Sequence, residues 1–87
     1  MPNNTHTSKT LLLDARRAFT LDEFFAQFSA AALPGRPVAT NLDGFADYVR
    51  ETRLGGLVLR GCRLSIPEYQ RLADVARELG LKLTTIA

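Results

Sequence analysis

The chain has 87 residues, 46% of them hydrophobic, and a formal net charge of +2. That suits one domain, which buries about 60–65% of the surface its unfolded chain exposes, and it is too apolar for a disordered protein. A single cysteine rules out an internal disulfide, one Cys with one His is too few for a Cys/His zinc site, and no stretch approaches the roughly 20 apolar residues of a membrane span.

Residues 1–9 are polar and aperiodic, with Asn3, Asn4, Thr5, His6, Thr7 and Ser8. They read as a flexible tail without the apolar core of a signal peptide, which leaves a domain over residues 10–87 and a cytoplasmic location as the default. Thr10-Leu11-Leu12-Leu13-Asp14 is a short apolar run and predicts a buried strand. Thr20 followed by Glu23 is a capping box: the hydroxyl accepts from an amide three residues on and the carboxylate reaches back. The helix it opens carries Leu21, Phe24, Phe25, Phe28 and Ala32 on one stripe. It should end near Leu33, because Pro34 disfavours helical geometry in the residue before it. The phenylalanines read as core packing in preference to a ligand box.

Residues 34–40 hold two prolines and a glycine and form a loop. Asn41, or Thr40, can cap a second helix. In it Leu42, Phe45, Ala46 and Val49 follow the i, i+3, i+4, i+7 pattern of a buried face. Asp43 and Asp47 are four apart, so they share another face and point an acidic ridge at solvent. Asp43 also has a purely structural explanation, since a carboxylate in the first turn complements the helix dipole. Asp47, a turn further on, does not. The helix should reach about Thr52, with Gly55-Gly56 breaking the chain.

Leu57-Val58-Leu59 is continuously apolar and suits a central strand covered on both faces or sides. Gly61 and Cys62 close it, and Cys62 reads as a small, buried or half-buried thiol. Ser65 and Glu68 predict a second capping box, with Pro67 tolerated in the first turn. The third helix should bury Ile66, Tyr69, Leu72, Ala73, Ala76 and Leu79 and stop at Gly80, before a last strand over residues 81–86. The order strand, helix, helix, strand, helix, strand gives an α/β fold. Helical crossovers make the three strands parallel, and right-handed crossovers put the helices on one side of the sheet.

With Leu33-Pro34 before it, Asn41-Leu42-Asp43-x-Phe45-x-Asp47 resembles the asparagine-leucine-aspartate segment of the barstar family, the small intracellular inhibitors of secreted bacterial ribonucleases. The resemblance covers roughly residues 10–87 and includes the element order, the length and the ending Gly80-Leu81-Lys82-Leu83-Thr84. It implies a three-stranded parallel sheet in the order 1-2-3 with helices packed on it, and no cofactor or metal. It also implies aspartates that plug the ribonuclease active site. Carried onto this chain, the partner-binding set is Arg36, Val38, Thr40, Asn41, Asp43, Gly44, Ala46 and Asp47. The partner this implies is a bacterial ribonuclease or another basic toxin, and the chain is expected to be monomeric when free. The chain differs from the family in having no aromatic residue over 35–40, Ala46 in place of a large aromatic, a shorter segment over 60–65, and Val75, Arg77 and Leu79 on the last helix where acids are usual.

The alternative is a non-catalytic binding module that meets nucleic acid or a regulatory partner through Arg60, Arg63, Arg71 and Arg77. It lacks the aromatic interleaving that stacks bases. An enzyme is not expected, because nucleophile, base and metal-ligand inventories are nearly empty and a His6–Cys62 pair would need the tail to reach a strand end. No small-molecule substrate or membrane is expected either.

Overall fold

A computed structural model describes residues 9–87. Six elements follow in chain order: β1 (Lys9–Asp14), α1 (Leu21–Ala32), α2 (Leu42–Thr52), β2 (Leu54–Arg60), α3 (Ile66–Leu79) and β3 (Lys82–Ile86). The expected α/β fold is present, with one sheet in the order β1-β2-β3 and both strand pairs parallel. Residues 1–8 of the expected tail lie outside the described residues, and Lys9, assigned to that tail, is the first residue of β1.

Leu13, Leu57 and Leu59 are buried on one face of the sheet, with Leu11 and Leu83 partly buried beside them. They meet Phe24, Phe28, Phe45, Val49, Leu72 and Ala76 of the three helices in one core. The central contact is aromatic: the Phe45 ring lies 4.8 Å from that of Phe28 and 5.7 Å from that of Phe24. Edge-on and tilted pairs of this kind add to area burial, and here they tie α2 to α1.

All three helices lie on that face, and among the described residues no helix covers the other face of the sheet. Leu12, Val58 and Thr84 sit in register across it, and Leu12 is 61% exposed. The expectation that Val58 is covered like its neighbours is therefore corrected. Val58 is half-buried, because alternation in a strand sends it to the side without helices.

Gly55 and Gly56 do not break the chain; both lie inside β2. Lys9 pairs with Leu54 and Thr10 with Gly56, so Gly55 is the extra residue of a bulge. A Cβ on Gly56 would stand 2.9 Å from the Thr10 hydroxyl oxygen, a close approach that suits glycine. The turn from α2 into β2 is made instead by Arg53, which takes the left-handed conformation at φ 57° and donates its N–H to the Arg50 and Val49 carbonyls. At the end of α3 the same conformation falls on Gly80, as expected from glycine's preference for that position.

The first capping box is complete. Thr20 accepts from the Glu23 N–H at 3.2 Å, and Glu23 accepts from the N–H groups of Thr20 and Phe19. The second is only half formed. Ser65 accepts from the Glu68 N–H, but the Glu68 carboxylate bonds the Ser65 hydroxyl and, across the fold, the Leu21 N–H at 3.3 Å. Glu68 thus serves the free Leu21 amide of α1 in place of the Ser65 backbone N–H. Ile66, expected in the core, is 77% exposed, while Leu72 and Ala76 carry the buried stripe of α3.

Candidate functional site: an acidic helix edge and its clamped loop

The start of α2 is set by Asn41, whose side-chain oxygen accepts from the Gly44 N–H at 2.8 Å. Gly44 lies against the loop, where a Cβ would meet the Ala39 Cβ at 3.4 Å, about van der Waals distance. With Phe45 and Val49 buried, helical geometry turns Asp43 and Asp47 outward, and both are exposed. Asp43 forms no ion pair among the described residues. Asp47 has an exposed contact with Arg50 at 3.2 Å, the kind of i, i+3 surface pair that contributes little to stability.

The loop of residues 33–40 passes beside this edge and is held at three points. The Ala39 N–H donates to the hydroxyl of Ser29, which is 1% exposed, at 2.9 Å. The Tyr48 hydroxyl donates to the Pro37 carbonyl at 2.5 Å. Arg36 forms a forked ion pair with Glu51 while its guanidinium lies 5.5 Å from the Tyr48 ring centre. The Arg36 hydrogen bond holds the Glu51 carboxyl below its ordinary range. Buried backbone needs a partner for each polar group, and Ser29 supplies one where the loop turns inward.

Of the residues expected to meet a partner, Val38 (50% exposed), Thr40, Asn41, Asp43 and Asp47 reach solvent on or beside this edge. Arg36 also reaches solvent, with its charge already engaged by Glu51. Gly44 is half-buried under the loop. Ala46 is 7% exposed and faces inward, so it adds nothing to the accessible edge of the free chain. A cleft of about 390 Å³ adjoins Thr40 and Asn41 and is also lined by Asp22, Glu68 and Arg71.

Three features of this region escape a reading of the sequence. Asp22 and Glu68 belong to first turns of other helices and come to the cleft only through tertiary packing. The Arg36–Glu51 pair spans 15 positions. Tyr48 and Glu51 are three apart on α2, a spacing that marks a shared face but not what the face meets. Among the described residues no group of three or more His, Cys, Asp or Glu side chains is placed to hold a metal ion, and no helix is long and apolar enough to cross a membrane. No family model, no curated protein and no solved structure matches the chain.

Proposed function

We propose that the chain is an intracellular inhibitor of a ribonuclease or related basic toxin, acting by occlusion with the α2 edge and the adjoining loop. The observation that carries the reading is the pair of exposed carboxylates, Asp43 and Asp47, on one helix edge beside a loop held at Ser29, Tyr48 and Glu51. The resemblance of Asn41-Leu42-Asp43-x-Phe45-x-Asp47 to the barstar segment supplies the partner class.

The chemistry is that of a phosphate mimic. A ribonuclease grips its substrate with Arg, Lys and His, and a rigid edge with two carboxylates can occupy that pocket. Charge-assisted bonds to guanidinium groups, often bidentate, give strength and geometry. Opposite fields accelerate encounter. A loop already held in place has less freedom to lose on binding, so more of the contact energy appears as affinity. Val38 and Thr40 supply the non-ionic part of the contact.

Nucleic-acid binding through the arginines draws less support. Arg77 is paired with Asp74 at 3.0 Å and Arg71 shares its cleft with Asp22 and Glu68, which leaves Arg60 and Arg63 of the four, too few for a continuous basic stripe. The test is an RNA-cleavage assay on ribonucleases secreted by the source cell, titrated with the purified chain. One equivalent should abolish cleavage by at least one of them. Full activity of every ribonuclease in the presence of excess chain overturns the proposal.

A further inference from the structure

A second, chemically opposite surface lies at the end of the sheet where all three strands terminate. A cleft of about 490 Å³ opens there between the β2–α3 connection, the first turn of α3 and the end of β3. Its walls include Cys62, Leu64, Ile66, Tyr69 and Ile86. Ile66 and Ile86 are 77% and 46% exposed, which is unusual for branched aliphatic side chains placed on either side of one concavity.

The rim of this cleft is basic. Arg60 is exposed beside Ile86, its register partner, and Arg63 lies between the lining residues Cys62 and Leu64. The Arg63 guanidinium is held 5.8 Å from the ring centre of Phe19, itself 56% exposed. Neither Arg60 nor Arg63 forms an ion pair among the described residues. The nearby carboxylate, Asp14, is engaged by Arg16 through Nε at 2.9 Å and Nη2 at 2.7 Å.

We propose that this cleft is a docking site for an acidic protein segment, which inserts an apolar side chain between Ile66 and Ile86 and sets carboxylates against Arg60 and Arg63. Charge complementarity selects this occupant. A symmetric contact between two copies would gather four arginines, two from each copy, around one interface without a carboxylate to meet them, and like charges brought together oppose association. A membrane would meet the rim but leave the concavity unfilled, whereas a single side chain can enter it. The proposal is independent of the α2 edge and does not rest on the inhibitor reading.

The probe is a synthetic peptide of Asp and Glu residues around one Leu-Phe pair, with a twin in which every acid is lysine. Binding is read by amide chemical shifts and by protection of Cys62, the sole cysteine of the chain, from alkylation. The acidic peptide should shift residues of the cleft, protect Cys62 and lose at least about tenfold in affinity with Ile66→Asp or with the Arg60→Glu, Arg63→Glu pair, while Asp47→Asn changes nothing. Because Ile66, Arg60 and Arg63 are exposed, these variants should keep the fold, and a circular-dichroism spectrum checks this. Equal binding of the lysine twin, shifts elsewhere, or no binding of the acidic peptide overturns the proposal. So does capture of the chain by phosphatidylglycerol vesicles, or self-association in sedimentation, when either is abolished by Ile66→Asp and the acidic peptide does not bind.

Discussion

Asn41 couples the two properties of the α2 edge, because the oxygen that caps the helix belongs to a residue that also faces the proposed partner. Asn41→Ala removes the bond to the Gly44 N–H, and stability should fall by about 0.5–2 kcal/mol, measurable by urea denaturation. Glu51 makes a separate prediction from its titration. Its carboxyl is held below the ordinary range by Arg36, so the stabilisation is present above the unfolded value of 4.5 and is lost as pH falls through the lower folded value. Thermal midpoints of the wild type and Glu51→Gln should therefore differ by a constant small amount above about pH 5.5 and converge under more acidic conditions. A difference that grows on acidification would contradict the assignment of the Arg36 pair as the cause. Both residues are exposed, so the effect is modest and falls with added salt.

Helices are the elements most legible in this sequence, and the reason is local. Thr20 and Glu23, Asn41, Pro34 and Gly80 mark ends through bonds and backbone restrictions that act within a few residues. β2 is less legible, because Gly55 and Gly56 weaken a strand taken alone but are accommodated by a bulge and by pairing on both sides. Ile66 and Val58 lie on apolar patterns yet remain accessible, since pattern does not say which side of a sheet lacks helices or where the sheet ends. Arg53 shows the same limit: nothing in its side chain announces a left-handed φ of 57°. That conformation is strained for a residue with a Cβ, so Arg53→Gly should raise stability by up to about 1 kcal/mol, read as a higher urea midpoint with an unchanged slope. A loss of stability would mean that the Arg53 side chain contributes more than its backbone strain removes.

On the scale of the whole molecule, charge is distributed by region, and the net value of +2 conceals it. Asp43 and Asp47 line one helix edge, while Arg60 and Arg63 flank the apolar cleft at the end of the sheet. The acidic edge was legible because helical spacing alone puts residues four apart together. Its supports were not, because Ser29, Tyr48 and Glu51 meet the loop only after the chain has folded back on itself. Occlusion requires that the exposed carboxylates carry the binding, and Asp47 is the residue that isolates this, lying beyond the first turn and bonded, among the described residues, only to the exposed Arg50. The decisive measurement is the affinity of wild type and Asp47→Asn for any ribonuclease that the cleavage assay shows to be blocked, with the thermal midpoint of each free protein taken alongside. Loss of one member of a buried interfacial charge pair costs about 2–5 kcal/mol, so the variant should bind at least roughly 30-fold more weakly while its stability changes by less than about 0.5 kcal/mol. Unchanged affinity with the fold intact would contradict the account.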